Sequence, residues 1–218
     1  MPETERLHII FERLQAASVG WDETSMHPYN GQPFQALIAA MLSTQTREEQ
    51  TAAAAEALFA IADSPAKVLK VGEDAVREAI RPVSFYNNKT QYIMNIAHIL
   101  ITQHNGSVPE DLDALMALPG IGYKVAVLVR YVAFGHTDHI TVDTHVDRIG
   151  KRLGIIAPTV KGTEKVGRAL EAVLPPEMYG DWNALMVMFG REVCKARGPK
   201  CETCFLRDVC PRVGVGDG

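Results

Sequence analysis

Three sets of residues in this chain have types and spacings that could do chemistry. The first is Lys124, which closes the run Leu118-Pro-Gly-Ile-Gly-Tyr-Lys124. Pro119 ends the helix before it, and Gly120 and Gly122 permit a tight reversal with backbone N–H groups turned outward. A helix starting just past Gly122 adds its first-turn N–H groups to the same spot. That makes an anion site able to grip a nucleic-acid phosphate without reading a base. Lys124 then lies in the first turn, where its charge opposes the helix dipole by roughly 0.3–1 kcal/mol. The same field, with partial burial, lowers a lysine's pKa toward that of a usable nucleophile. The other reading is a surface lysine that follows a phosphate.

The second is Asp143, just ahead of the apolar-periodic Val146, Ile149 and Leu153. It reads either as an N-cap or as a carboxylate held at a helix start for catalysis. The third is Cys194-x6-Cys201-x2-Cys204-x5-Cys210, all the cysteines of the chain within 17 residues. Read as cytosolic thiols they should not form disulfides. Four thiolates this close are expected to hold a metal centre, and physics alone leaves zinc and an iron–sulfur cubane both open.

The elements that must position these groups read as helices throughout. Leu112, Leu115, Met116 and Leu118 fall at helical spacing, as do Val125, Leu128, Val129 and Val132. Thr4 to Ala17 is amphipathic, with Leu7, Ile10, Phe11 and Leu14 on one side, and Val19 to Gln32 reads as a loop. From Pro33 the chain is apolar to Ser43 and continues helically through the Ala-rich 51–61. Further helical patterns fall at about 64–71, 73–80, 88–103, 110–118, 144–153, 162–173 and 181–194, the last with a Met-rich face suited to core packing. No stretch shows sustained period-two alternation, so the fold class is all-α. Gly135 to His145 carries three His and two Asp but matches no standard zinc spacing. His145 is therefore read as support for its helix or for active-site hydrogen bonds.

Length, 218 residues, allows one large or two small domains, and a 47% hydrophobic fraction supplies a core. No apolar run reaches the ~18 residues of a membrane span. The acidic start, Pro2-Glu-Thr-Glu-Arg6, is unlike a signal peptide, so a soluble cytoplasmic protein is expected. Net charge is −4, but residues 1–80 hold 12 acids and 6 bases while 121–170 hold 8 bases and 4 acids, and 191–212 hold 6 bases and 3 acids. The positive charge thus gathers around the hairpin and the cysteines, as a phosphate-facing surface requires.

These motifs resemble the endonuclease III family of DNA glycosylases, helix-hairpin-helix proteins with a catalytic aspartate. The resemblance rests on Leu118 to Lys124 followed by Val142-Asp-Thr-His145. It also takes in Leu42-Ser-Thr-Gln45, Tyr86-Asn-Asn-Lys89, Gln103-His-Asn-Gly106 with Val108-Pro109, Gly190-Arg191 and the four cysteines. The motifs keep the family's order from about Pro33 to Cys210.

The resemblance implies a two-lobed helical DNA glycosylase fold with DNA between the lobes. One lobe is residues 26–137, carrying the hairpin. The other is 1–25 plus 138–211, and 212–218 is a flexible tail. It implies a [4Fe–4S] cluster on Cys194, Cys201, Cys204 and Cys210, in a loop whose cations, Lys195 among them, face a phosphate backbone. Gln45 and Phe85 are implied as wedges that enter the DNA stack; without the family, Gln45 is an exposed polar residue just past the end of the apolar helix 34–42, and Phe85 as easily a core aromatic. Tyr86, Gly120, Gly122 and His145 are implied to contact DNA.

The implied reaction is that of a bifunctional DNA glycosylase and AP lyase of base excision repair, acting on oxidised pyrimidines in double-stranded DNA. Asp143 assists, the Lys124 amine attacks C1′, the base leaves, and the Schiff base permits β-elimination. The enzyme is expected as a monomer, away from membranes and nucleoid-associated in a bacterium. Tyr123 stands where relatives commonly have a basic residue, and Val125 where threonine is common. The alternatives are a non-catalytic helix-hairpin-helix module with a structural metal, or a glycosylase of different base specificity with weak lyase activity.

Overall fold

The first helix, α1 (Glu3–Ser18), belongs with the end of the chain rather than with its neighbours in sequence. In this computed structural model, which describes residues 1–21 and 29–216, two compact units form: Met1–Thr24 with Thr137–Gly218, and Ser25–His136. Part of the loop expected from Val19 to Gln32 lies outside the described residues. Among those described there is no strand, and no helix is long and apolar enough to cross a membrane.

The unit of residues 25–136 is built on α2 (Pro33–Leu42), where Pro33 opens the helix and eight of the ten residues are buried. A short helix this apolar on every face must be wrapped by others. Those are α3 (Glu48–Ile61), α4 (Pro65–Val71), α5 (Glu73–Ala79), α6 (Tyr86–Gln103), α7 (Leu112–Met116) and α8 (Tyr123–Phe134). The helix end expected before Gln45 is present, and the chain turns through 43–47 before the alanine-rich helix resumes. The Ser43 and Thr44 hydroxyls donate back to Ala40 O and Met41 O, both at 2.8 Å, and Gln45 turns to φ 53°. Short polar side chains compete for helix carbonyls in this way. Acidic Glu48 and Glu49 then restart the helix at its positive end.

In the other unit α1 packs on α11 (Tyr179–Glu192), with α9 (Thr144–Arg152) and α10 (Thr163–Glu171) alongside. Leu7, Ile10 and Leu14 are fully buried, each contributing about 1.5–3 kcal/mol of transfer free energy. Phe11 stacks parallel to Trp182 at 6.3 Å. Within the tail expected from residue 212, Val213 N donates to Arg152 O at 3.0 Å, and Arg212 pairs with Glu202.

Candidate functional site

The hairpin begins at Asp111, whose carboxylate caps α7 by accepting from Ala114 N at 2.9 Å. α7 stops at Met116, earlier than the sequence suggests, and the reversal runs from Ala117 to Gly122. The two glycines do different work. Gly120 has φ 78°, and a Cβ there would lie 2.5 Å from the Tyr92 ring, so the fold itself demands glycine. Gly122 has φ −97° in extended backbone and nothing within 4 Å of an added Cβ. The sequence suggests a turn glycine at both positions, but only Gly120 needs to be one. A glycine that its own fold does not require suits close backbone approach by a ligand. Lys124 comes next, half-buried in the first turn of α8, while Tyr123 and Val125 on either side are buried.

Gln45 and Phe85 stand on two turns of the same unit. Both are exposed and both are left-handed, at φ 53° and 57°. Phe85 is 63% exposed, which excludes the core reading. A left-handed backbone costs a non-glycine residue about 1–2 kcal/mol, so the surroundings must hold it. Between the two lies a cavity of about 210 Å³ that Asn88, Lys89, Tyr92 and Gly120 also line. Tyr86 begins α6 half-buried against the core.

Lys89 is 4% exposed, and its ammonium donates to Leu42 O (2.7 Å), Thr44 O (2.8 Å) and Thr46 Oγ1 (3.0 Å). Burial lowers its pKa to about 8.

In the second unit Asp143 is the N-cap of α9. Its Oδ1 accepts from His145 N at 2.8 Å and Val146 N at 2.9 Å. The cap reading is therefore correct as far as it goes, and with both bonds on Oδ1 it is compatible with a further role for Oδ2. His145 lies half-buried against α11, and Arg148 donates to its Nδ1 (3.2 Å) and to Cys194 O (3.1 Å). Nδ1 as acceptor puts the proton of a neutral ring on Nε2, an assignment made from the network. The other histidines of 135–145 face carboxylates, His136 with Glu110 at 3.0 Å and His139 with Glu171 at 3.2 Å.

Cys194, Cys201, Cys204 and Cys210 all line one cavity, walled by Phe189 and Leu206, and no disulfide joins them. Among the described residues no three Cys, His, Asp or Glu side chains converge on a single metal ion. Thiols spread around a cavity suit a multi-iron cluster, with one thiolate to each iron, better than one tetrahedral zinc. Burial raises the Cys204 and Cys210 thiols first, and the neighbouring thiolates raise them further. Bound cations reverse both effects. Donors already aim at the sulfurs: Arg152 Nη1 reaches Cys194 Sγ and Leu206 N reaches Cys204 Sγ, each at 3.4 Å. Lys195 is exposed beside the first cysteine, its carbonyl held by Arg152 at 2.7 Å. The residues present fit the cluster.

Residues 38–176 match the model of the HhH-GPD superfamily base excision DNA repair proteins. The chain belongs to this family. Residues 194–210 match the iron-sulfur binding domain of endonuclease III. Endonuclease III of Thermotoga maritima is 38% identical over 82% of this chain and 82% of that protein. Endonuclease III of Escherichia coli K12 is 38% identical over 86% of this chain and 90% of its own length. A solved structure of a trapped endonuclease III–DNA covalent intermediate superposes with a TM-score of 0.85 at 32% identity, covering 97% of both chains. The HhH-GPD chain described here is a DNA glycosylase and AP lyase of base excision repair with an all-helical fold, and it carries an iron–sulfur cluster.

Sequence reasoning gives Lys89 no role. Its signal is nonetheless in the pattern, because Lys89 shares one helical stripe of α6 with Ile93, Ile96 and Leu100, all fully buried. A lysine on an apolar stripe must be paired or must shift its pKa. Tyr92 against Gly120 and Arg148 between His145 and Cys194 carry no comparable signal.

Proposed function

We propose that this enzyme removes oxidised pyrimidines from double-stranded DNA through a Schiff base on Lys124, and then cuts the strand by β-elimination. In this reading the hairpin unit, 26–137, grips and opens the DNA, and the remainder, 1–25 with 138–211, carries the cluster. The observation that carries it is Lys124 itself: a half-buried primary amine in the first turn of a helix, two residues past a glycine that the fold leaves open to a ligand. A hydrolytic glycosylase needs no amine there. The solved covalent endonuclease III–DNA intermediate supports covalent chemistry.

Asp143 takes a proton from the Lys124 ammonium and passes it to the departing base, and the carboxylate so restored steadies positive charge developing on the sugar. The freed amine pair forms a bond to C1′ as the C1′–N bond to the base breaks, and the base leaves with that electron pair and a proton. Ring opening gives an iminium at C1′. Loss of a C2′ proton then expels the 3′ phosphate oxygen, which cuts the strand. Gln45 and Phe85 occupy the space a flipped nucleotide leaves, offsetting a few kcal/mol of unstacking. Gly120, Gly122, Tyr86, His145 and Lys195 contact the damaged duplex around it.

The cluster is [4Fe–4S], held by Cys194, Cys201, Cys204 and Cys210, and it supplies four metal–thiolate bonds that cross-link a cationic loop. The enzyme works as a monomer in the compartment that holds the DNA, at the nucleoid in a bacterium.

The deciding experiment is borohydride trapping on an oligonucleotide bearing an oxidised pyrimidine or an abasic site. Lys124→Gln should abolish the trapped adduct while damaged-DNA binding survives. Undiminished trapping would move the nucleophile to another amine. Asp143→Asn keeps the cap, since Asn and Asp cap equally well, and should slow base release by orders of magnitude.

A further inference from the structure

We propose that Lys89 is a positioning residue for strand opening, its ammonium bracing together the two turns that present Gln45 and Phe85. The inference rests on the wedge reading of those two residues. Lys89 reaches across from α6 to the end of α2, where its donors meet Leu42 O, Thr44 O and Thr46 Oγ1. Thr44 and Thr46 flank Gln45 on both sides. Thr46 Oγ1 is also the acceptor for Ser84 N at 3.2 Å, and Ser84 immediately precedes Phe85. One buried ammonium and one hydroxyl thus connect the neighbours of both candidate wedges.

The arrangement answers a physical need. Two bulky residues in left-handed backbone conformations persist only where their surroundings fix them. The α2 terminus also leaves carbonyls without helical partners, and Lys89 satisfies two acceptors there. The mechanism does not otherwise employ this lysine, because all its donors are spent on protein acceptors. The cavity between the wedges makes the bracing matter. The two turns face each other across an open space of about 210 Å³, and the Lys89 and Thr46 hydrogen bonds link them along its wall.

Protonation makes the brace measurable. The Lys89 ammonium loses its proton at about 8, against an ordinary 10.5, because burial disfavours the charge. Above that pH two N–H groups remain for three acceptors. Between about 8 and 10.5 the unfolded chain binds more protons than the folded one, so this group makes stability rise with pH. A loss of strand opening in that window therefore cannot come from Lys89 unfolding the protein. The ammonium's hydrogen-bond partners are two backbone carbonyls and a threonine hydroxyl, none of which titrates here; the titratable side chain that lines the cavity with it is Tyr92, so Tyr92→Phe is the control for the pH profile.

The test compares one oxidised pyrimidine in a well-stacked duplex and in the same oligonucleotide single-stranded. The readout is the ratio of single-turnover cleavage rates on the two substrates, which cancels effects common to both, the chemistry at Lys124 included. In the wild type the ratio should fall as pH rises through about 8. Lys89→Arg, whose guanidinium keeps its protons, should hold the ratio flat. Thr46→Val should lower the ratio about tenfold at neutral pH, and Lys89→Met by at least as much; if Lys89→Met does not fold, Thr46→Val decides. Equal losses on both substrates, or an unchanged ratio in Thr46→Val and a pH-independent wild type, would overturn the proposal. Gln45→Ala and Phe85→Ala are run in parallel. If they leave the ratio unchanged, the wedge reading itself fails; if they lower it while the Lys89 and Thr46 variants do not, Lys89 alone loses its role.

Discussion

Gly190 leaves vacant the space that His145 occupies: a Cβ on Gly190 would come within 2.2 Å of His145 Nδ1 and 2.9 Å of Arg148 Nη2. His145 is two residues past Asp143 and its N–H is one of the two that hold the Asp143 carboxylate. Gly190 lies in the last turn of α11, where glycine costs at most about 1 kcal/mol against alanine, and the close approach of His145 offsets that cost. Gly190→Ala should push the imidazole outward and drag the start of α9 with it. Overpacking of this kind costs about 1–3 kcal/mol. A lowered Tm together with a base-release rate reduced beyond the loss of folded protein is the expected result. An unchanged rate at full folding would show that the Asp143 turn does not depend on His145.

The two hairpin glycines separate fold from binding. Gly120→Ala meets both a left-handed backbone and the Tyr92 ring, so Tm should fall. Gly122→Ala adds a methyl into open space at an ordinary φ, so Tm should stay within about 0.5 kcal/mol equivalent of wild type, as for a neutral surface change. If a phosphate approaches that backbone, the same methyl should weaken DNA binding severalfold and flatten its salt dependence. Titration by fluorescence anisotropy at several salt concentrations measures both. Wild-type affinity in Gly122→Ala would mean the glycine faces no ligand.

How much of this is legible in the sequence depends on whether a feature is local. The N-cap at Asp143, the first-turn place of Lys124 and the apolar stripes of α1 and α8 arise from residue order and helical period, and the structure has all of them. The helix end before Gln45 is local too, but the way the turn at 43–47 is held is not. There an apolar run and an alanine-rich run both favour helix, and Lys89, 43 residues or more away, fixes the turn between them. The separate duties of Gly120 and Gly122 are equally hidden, because one depends on Tyr92, an aromatic that only the folded chain brings beside the hairpin. Phe85 illustrates the remaining gap. An aromatic before a helix reads as buried or exposed with equal ease until its backbone conformation is known.

The cluster makes a compositional prediction. Aerobically purified protein should be brown and hold about four iron and four sulfide per chain, one thiolate for each iron. Stoichiometric zinc in a colourless protein would contradict this. Cys201→Ser or Cys204→Ser should lower the iron content and loosen the loop that Arg6 and Arg13 tie to α1 through Val209 O and Phe205 O. Proteolysis within 195–209 and weaker DNA binding are the expected readouts, with chemistry on bound substrate less affected.

The exposure of Phe85 sharpens what its removal should do. A buried phenylalanine cut to alanine costs about 3–5 kcal/mol, whereas a side chain 63% exposed loses little of that burial. Phe85→Ala should therefore melt close to wild type, and so should Gln45→Ala, which is exposed as well. Their effects should appear in activity. Extrusion of a nucleotide costs a few kcal/mol per unstacked step, and on the wedge reading each of these side chains offsets part of it. The loss should be greatest for a lesion in a well-stacked duplex and should shrink where a mismatch or a missing partner strand has already removed the stacking. The two truncations should also combine less than additively if both side chains enter the same vacated space. Thermal melts and single-turnover rates on the two substrate types measure this directly. A uniform loss on both, with Tm unchanged, would place Phe85 in substrate binding rather than in the stack.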